Sequence, residues 1–327
     1  MDLQNELIKR AATFNSYWQQ YLPLKKPTKL YEASQHLPFA GGKRFRPFLT
    51  LTSCESASGE MQKALPLATG LELIHNFTLV HDDIMDHSLL RRNLPAVHVK
   101  FGEPAAILAG DLLFAKAFEA ILNTSVDFST FKLLQQDFIN CVIAICEGQQ
   151  MDMEFEERKT VTEQEYLDMI SKKTGALFEL AGKGGGLIGG GNPSEVAALQ
   201  TYGMTLGLAF QIWDDYLDMS STATTLGKDI GNDIRNGKKT LIAVHSLTHA
   251  TGKHKKLLDY VFGNHSASEH DVALVYDLFK ELGSITYAQQ RALQLVNQAK
   301  DAITVIKPSD AKELLYQLIE YTIQREK

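Results

Sequence analysis

Two aspartate clusters are the residues of this sequence best suited to chemistry. They share the pattern Asp-Asp-x-x-Asp and comprise Asp82, Asp83 and Asp86 in LVHDDIMD, and Asp214, Asp215 and Asp218 in FQIWDDYLD. On a helix, the first and last carboxylates of such a cluster share a face, which destabilises the helix unless a cation compensates them. Oxygen ligands without cysteine favour Mg²⁺, which commonly completes its shell with substrate phosphates. One cluster alone would equally fit a solvated acidic face, but two of identical spacing favour a metal and phosphate site.

Basic residues lie close to both clusters in the sequence. They are Arg91 and Arg92 in SLLRRN, Lys228 and Lys238 in LGKDIGNDIRNGKKT, and Lys43, Arg44 and Arg46 in GGKRFRP. Arginine binds phosphate oxygens in a bidentate manner, and lysine supplies a mobile point charge. Magnesium on aspartates, surrounded by such side chains, is what two diphosphate groups require.

Two further polar residues lie on faces that should be apolar. His75 precedes Asp82 by two helical turns and shares its face. A histidine on such a stripe is often an ordinary core residue, but the face shared with Asp82 favours a functional role. Asp152 lies with Gln149 on or beside an apolar stripe, where a carboxylate is costly to bury unless paired or metal-bound. We therefore expect Asp152 to face the same cavity as the clusters.

The elements that must position these residues are predicted to be helices. Apolar residues recur at three- and four-residue steps, and strand-like alternation is scarce. No proline occurs in residues 105–192 or 194–307, so long helices can form there. The glycine-rich segment at residues 182–191 lacks the Ser or Thr of a P-loop, so we expect it to let two helices approach closely or to form a loop between them. We predict one all-α domain of many helices over residues 1–327.

Composition excludes several classes of protein. With 44% hydrophobic and 22% charged residues, the chain can bury a sizeable core. A net charge of −6 argues against a nucleic-acid-binding protein. Three cysteines without a C-x-x-C pair fit a reduced, cytoplasmic chain. Because there is no signal-like start and no apolar run of ~20 residues, we expect a soluble protein without a membrane span.

Taken together, these motifs resemble those of the trans-prenyl diphosphate synthases, the polyprenyl synthetase family. The resemblance runs in the family's order from GGKRFRP, through HDDIMDHSLLRRN and KTGAL at residues 173–177, to FQIWDDYLD and the later lysines. It implies a helical bundle around a central cavity, Mg²⁺ as cofactor and a homodimer. The implied reaction joins isopentenyl diphosphate head-to-tail to an allylic diphosphate.

The resemblance also implies a role for each matching residue. The residues that would bind the diphosphate of isopentenyl diphosphate are Lys43, Arg46, His75 and Arg92. Those that would hold the allylic diphosphate are Arg91, Lys173, Lys228 and Lys238, with magnesium ions on Asp82, Asp86, Asp214 and Asp218. Thr174 and Gln211 would turn oxygen atoms toward the developing carbocation. Two positions depart from the pattern, Asn93 for the usual glycine and Ala96 where threonine is common, and both put the conformation of that loop in question.

By resemblance to the family, product length is expected to depend on the residue five positions before Asp82, which is Phe77. Phe77 would lie ~7.5 Å deeper along the helix, at ~1.5 Å per residue, where a large ring can stop elongation. An aromatic residue there resembles archaeal-type geranylgeranyl diphosphate synthases, so we expect a twenty-carbon product, with farnesyl or longer polyprenyl products as alternatives. The alternative is that Phe77 is an ordinary residue of the hydrophobic core, as most phenylalanines are.

Three other interpretations stay open. A class I terpene cyclase is also all-α, but it would not need GGKRFRP and His75 to hold a second diphosphate. An HD-type phosphohydrolase is suggested by His81 next to Asp82, but the second aspartate cluster would then have no role. An inactive regulatory subunit would typically have lost one cluster, whereas this chain has both.

Overall fold

The protein is built almost entirely of helices. This computed structural model describes residues 2–220 and 229–324. Its first eight α-helices are α1 (Leu3–Trp18), α2 (Thr28–His36), α3 (Phe45–Ser56), α4 (Leu65–Met85), α5 (Val97–Phe101), α6 (Glu103–Ile121), α7 (Phe128–Glu157) and α8 (Glu163–Ile170). The remaining ones are α9 (Ala176–Ile188), α10 (Pro193–Ser220), α11 (Asp229–Asn236), α12 (Leu241–His249), α13 (Gly252–Val261), α14 (Glu269–Glu281), α15 (Ser284–Ala302) and α16 (Asp310–Gln324). The prediction of an all-α fold is confirmed.

The longest helices lie where proline is absent. α7 has 30 residues and α10 has 28, and Pro193 stands at the start of α10, where its missing N–H is not needed. α8 begins with a capping box, in which Thr162 and Glu165 each accept the other's backbone N–H. Of the helices in residues 2–220 and 229–324, none combines the length and the apolar composition needed to cross a membrane.

A short antiparallel hairpin follows α4. It pairs β1 (Leu90–Arg91) with β2 (Leu94–Pro95). The turn holds Arg92 and Asn93 at positive φ angles of 53° and 60°. Asparagine adopts this left-handed region more readily than most residues other than glycine, so Asn93 can replace the family's glycine here. The hairpin was not predicted, because two-residue strands leave no alternation to recognise.

The chain forms two compact units, each assembled from three stretches of sequence. Unit 1 comprises Met1–Ile139, Leu180–Gln200 and Ile303–Gln317, and unit 2 comprises Asn140–Glu179, Thr201–Ala302 and Leu318–Lys327. The first aspartate cluster therefore belongs to unit 1 and the second to unit 2. That the whole chain acts as one domain stays a prediction.

Each unit has its own buried core. In unit 1, Leu67, Leu71 and Ile74 of α4 have no exposed surface. In unit 2, the rings of Phe178 and Phe210 lie 5.5 Å apart between their centroids and join α9 to α10. These cores support the two helices that end in the aspartate clusters.

The glycine-rich segment allows α9 to lie directly on the backbone of α3. A Cβ atom on Gly185 would lie 2.4 Å from the carbonyl oxygen of Thr50, and one on Gly189 would lie 2.3 Å from that of Cys54. Real Cβ atoms do not come that close, so only glycine fits. The prediction that these glycines serve close helix packing is confirmed.

We expect Gly185→Ala to lower the free energy of unfolding by about 1–3 kcal/mol, because the new methyl group meets rigid backbone. Chemical denaturation followed by circular dichroism would measure the change. Gly186→Ala is the matched control on the same helix, since its Cβ would come closest to a terminal methyl of Leu199, at 2.7 Å, which can move, while the backbone of Val196 lies at an ordinary 3.7 Å. Equal losses in both variants would contradict the backbone contact as the cause.

Candidate active site

The first aspartate cluster lies at the C-terminal end of α4. Asp83 is fully buried, Asp82 is partly buried, and Asp86 caps the helix in an exposed position. Arg91 donates two hydrogen bonds to Asp83 Oδ1, from Nε at 2.9 Å and from Nη2 at 2.6 Å. Burial raises the pKa of Asp83, while the Arg91 guanidinium acts in the opposite direction. Asp83 therefore anchors the β1–β2 hairpin through its hydrogen bonds to Arg91. The outer carboxylates, Asp82 and Asp86, are the candidates for binding a cation.

The position of this cluster on the helix strengthens the case for a cation. The C-terminal end of a helix carries a partial negative charge, so carboxylates placed there are repelled and destabilise the helix. Asp82 and Asp86, four residues apart, also repel each other. A bound cation would relieve both effects, and carboxylate oxygens are ligands that Mg²⁺ accepts.

His75 lies among the arginines of unit 1. Burial lowers the pKa of His75 well below 6.5, and the charges of Arg46, Arg92, Arg44 and Arg91 lower it further. The imidazole is therefore neutral at pH 7 and can donate one hydrogen bond without adding charge. The charges of four guanidinium groups thus act on this one histidine, and guanidinium groups are side chains that attract phosphate groups.

Arg44 is one of these arginines, and its contacts give it a structural role. Its guanidinium donates to Glu72 Oε1 at 2.5 Å and to the carbonyl oxygen of Pro38 at 2.8 Å, and lies 4.9 Å from the ring centroid of Trp18. The residue is only 5% exposed. Of the three basic residues in GGKRFRP, exposed Lys43 and half-buried Arg46 are thus the candidates for substrate binding.

Arg92 connects the hairpin to the segment that precedes α3. Its Nη1 donates to the carbonyl oxygen of Leu37 at 3.1 Å and to that of Gly41. A Cβ atom on Gly42, at a φ angle of 137°, would lie 3.3 Å from Arg92 Nη2. Burial lowers the pKa of Arg92. These contacts join the hairpin to the start of GGKRFRP, and the charge of Arg92, like that of Arg46, acts on His75.

The second aspartate cluster lies near the end of α10. Asp215, the middle residue, is 7% exposed and accepts hydrogen bonds from the Tyr166 hydroxyl at 3.0 Å and from Gln211 Nε2 at 3.1 Å. Burial raises the pKa of Asp215 to about 7, although Lys238 and these hydrogen bonds act to lower it. Asp214 and Asp218 are partly exposed. In both clusters, therefore, the middle aspartate is held by side chains and the outer ones lie nearer the surface.

A cavity of about 60 Å³ in unit 2 brings several of the predicted residues together. Its lining includes Asp152, Tyr166, Lys173, Thr174, Gln211, Asp215 and Lys238. Lys173 and Thr174 come from a π-helical turn, Ser171–Gly175, a feature that is frequent at functional sites. Lys173 Nζ donates to Asp152 Oδ2 at 2.5 Å, and Thr174 Oγ1 donates to Gln211 Oε1 at 3.0 Å. Lys228 lies outside the described residues.

Lys238 remains a cation in this cavity. Burial would lower its pKa, but Asp233, Asp215, Asp152 and Asp218 raise it above the usual value. Its Nζ lies 3.8 Å from Asp233 Oδ2. A permanently charged lysine among several carboxylates is suited to neutralise a leaving diphosphate.

Tyr166 lines the cavity but was not identified from the sequence. It is 1% exposed and reaches Asp215 from α8. Tyr166 precedes Lys173 by seven residues, a spacing that would place both on one face of a regular α-helix. Tyrosine is a common core residue, however, and the spacing alone did not distinguish it.

His81 does not support the phosphohydrolase interpretation. Its Nε2 lies 3.2 Å from the carbonyl oxygen of Ile107, and its ring packs against Gly110 of α6. Within the part of the chain that the structure describes, no three His, Cys, Asp or Glu side chains converge on a point where they could bind a metal by themselves. A metal ion at either cluster would thus need oxygen ligands from elsewhere, such as a phosphate group.

Comparison with known proteins agrees with this geometry. Residues 27–279 match the sequence model of the polyprenyl synthetase family. The chain is 47% identical over 300 residues to a short chain isoprenyl diphosphate synthase of Methanothermobacter thermautotrophicus, covering 92% of this chain and 91% of the relative. It is 40% identical over 328 residues to a geranylgeranyl diphosphate synthase of Methanosarcina mazei, covering 100% and 99%.

A solved structure agrees as well. The geranylgeranyl pyrophosphate synthetase of Pyrococcus horikoshii superposes with a TM-score of 0.93 and 42% identity, covering 99% of each chain. The match of fold, length and sequence extends well beyond the motifs. The chain therefore belongs to the polyprenyl synthetase family and is a prenyl diphosphate synthase.

Proposed function

We propose that this protein condenses isopentenyl diphosphate with an allylic diphosphate in a magnesium-dependent reaction and that its product is geranylgeranyl diphosphate. The observation that carries the proposal is the shared construction of the two aspartate clusters, each with an anchored middle residue and two outer carboxylates on one face. Asp82 and Asp86 in unit 1, and Asp214 and Asp218 in unit 2, would hold the ions. When bound, Mg²⁺ supplies positive charge that stabilises the departing diphosphate.

The arginine-rich part of unit 1 suits the diphosphate of isopentenyl diphosphate. Lys43, Arg46 and Arg92 would supply charge-assisted hydrogen bonds, each contributing ~1.5–3 kcal/mol. Neutral His75 would donate one more. In unit 2, Lys173 and Lys238 would bind the allylic diphosphate.

The remaining cavity residues have a different task. Thr174 and Gln211 would direct oxygen atoms toward the positive charge that develops on the allylic carbon. As the allylic carbon–oxygen bond breaks, the double bond of isopentenyl diphosphate forms the new carbon–carbon bond and a proton is lost. The released diphosphate is the base that we propose for that proton.

Product length is proposed to depend on Phe77. Its ring packs on His81, with 4.8 Å between the ring centroids, and on Phe114, with 5.3 Å. Two aromatic neighbours hold the ring so that it can act as a rigid floor. The geranylgeranyl synthases among the relatives support a twenty-carbon product.

We expect Phe77→Ala to extend the main product by one or more isoprene units, because the floor is removed while the aspartates stay in place. The measurement is chromatography of the dephosphorylated products. Phe118→Ala is a control for the loss of a phenylalanine from the same aromatic group, since the ring of Phe118 packs on those of Phe114 and Phe138. We expect no change of product length in this control. An unchanged chain-length distribution in Phe77→Ala would refute the floor.

We further propose a cytoplasmic homodimer. Exposed large apolar side chains on α6 and α7 are candidates for the interface and comprise Ile107, Leu108, Leu133, Ile139 and Ile143. All three cysteines are free thiols, as a reducing compartment would keep them. Light scattering on the purified protein would give the oligomeric state.

The reaction is tested by incubating the purified chain with labelled isopentenyl diphosphate and either dimethylallyl, geranyl or farnesyl diphosphate, with and without Mg²⁺. We expect diphosphate products of up to twenty carbons that require the metal. Release of a cyclic hydrocarbon without uptake of label would indicate a terpene cyclase instead. No turnover by the chain alone would indicate a regulatory subunit.

A further inference from the structure

A directed chain of hydrogen bonds runs along the cavity of unit 2. The Tyr166 hydroxyl donates to Asp215 Oδ2 at 3.0 Å, and Gln211 Nε2 donates to Asp215 Oδ1 at 3.1 Å. Thr174 Oγ1 then donates to Gln211 Oε1 at 3.0 Å. All four side chains line the same cavity.

The direction of these bonds follows from the chemistry of the groups. An amide nitrogen can only donate, so Gln211 Nε2 donates to Asp215 Oδ1, and the Tyr166 hydroxyl donates to the other carboxyl oxygen. With its amide nitrogen turned to Asp215, Gln211 presents its carbonyl oxygen to Thr174. Thr174 uses its single proton on that oxygen, which leaves the lone pairs of its hydroxyl for the cavity.

Tyr166 is the residue at the far end of this chain. It is 1% exposed, on a helix whose first turn is fixed by a capping box. If Tyr166 had no hydroxyl, one buried oxygen of Asp215 would lose its hydrogen-bond donor, which costs free energy. Rotation of the Asp215 carboxyl group would reduce that cost. Rotation would free the Gln211 amide to turn, and the orientation of Thr174 would be lost with it.

We propose that Tyr166 is a positioning residue, which acts through Asp215 and Gln211 to orient the Thr174 hydroxyl toward the reacting allylic carbon. The inference rests on the proposed condensation reaction. It also assigns Asp215 a role distinct from that of Asp214 and Asp218, since Asp215 serves as the acceptor that joins Tyr166 to Gln211.

The direct test is Tyr166→Phe, which keeps the ring and removes only the hydroxyl. We expect kcat to fall about tenfold, because the chain orients a group that acts during the chemical step. We expect KM for both substrates to change less than twofold, since the residues proposed to bind the diphosphates keep their positions. Calorimetric titration with magnesium and inorganic diphosphate should likewise give an unchanged affinity.

A double-mutant cycle distinguishes positioning from a general loss of packing. Tyr166→Phe and Thr174→Val would be compared singly and together by kcat. If Tyr166 acts through Thr174, the double variant is no slower than Thr174→Val alone, because residues in one network are not additive. Losses that multiply would overturn the proposal.

Asp215→Asn is a second, isosteric break in the chain. An asparagine has one side-chain oxygen where Asp215 has two, so it cannot accept from Tyr166 and from Gln211 in the observed arrangement, and the same loss in kcat is expected. This variant keeps the proposal testable if Tyr166→Phe folds poorly.

Tyr287→Phe is the matched control. Its hydroxyl also donates to a carboxylate of α8, Glu163 Oε2 at 2.5 Å, but neither residue lines this cavity. We expect wild-type kcat in this control. Wild-type kcat in Tyr166→Phe would overturn the inference alone, whereas a wild-type protein that forms no product would overturn the proposed function and the inference together.

Discussion

Replacing Asp82 by alanine is expected to lower kcat/KM about 10²–10³-fold while the helical fold stays intact. The loss of one group that stabilises developing charge costs ~2.7–4 kcal/mol in related cases. Stability should not fall, and could rise, because the substitution removes one of two like charges at the C-terminal end of α4. The rate would be measured with labelled isopentenyl diphosphate at saturating Mg²⁺, and stability by thermal unfolding.

Asp83→Ala is the informative comparison for this prediction. It removes the neighbouring carboxylate, which accepts two hydrogen bonds from Arg91, and should lower the free energy of unfolding by about 1–3 kcal/mol. Asp111→Ala, an exposed carboxylate of unit 1, should leave both rate and stability unchanged. Wild-type turnover in Asp82→Ala would refute the assignment of Asp82 as a metal ligand.

Replacing Arg46 by alanine is expected to raise KM for isopentenyl diphosphate about 10- to 100-fold. The proposed contact is a charge-assisted hydrogen bond to that substrate, which contributes ~1.5–3 kcal/mol. KM for the allylic substrate should stay within twofold, because its diphosphate is proposed to bind other residues. Initial rates with each substrate varied in turn would separate the two constants.

Lys116→Ala provides the control for loss of a basic residue in unit 1. Lys116 pairs with Glu119 three residues later on the same helix and is not among the residues proposed to bind either diphosphate, so neither KM should change. If Arg46→Ala instead raised KM for the allylic substrate alone, the two diphosphate subsites would have been assigned the wrong way round.

Much of this protein was predictable from local sequence. The absence of proline and the three- and four-residue periodicity predicted the long helices, because both depend on neighbours along the chain. The spacing of the aspartate clusters placed their outer carboxylates on one helical face for the same reason. The motifs that carried the family resemblance were also local, and they led to the correct family.

Partners distant in sequence could be recognised only in the tertiary structure. Arg44 and Arg46 look equivalent in GGKRFRP, yet Arg44 is buried because Glu72, 28 residues later, pairs with it. Asp215 looks like a metal ligand, yet Tyr166, 49 residues earlier, binds it.

The physical reason is the same in both cases. Spacing along a helix determines which side chains share a face, but not which other helix covers that face. Burial and hydrogen-bond partners then decide whether a charged residue holds the fold together or lies near the surface. Within each aspartate cluster, packing against distant residues therefore separated the anchored middle carboxylate from the outer pair.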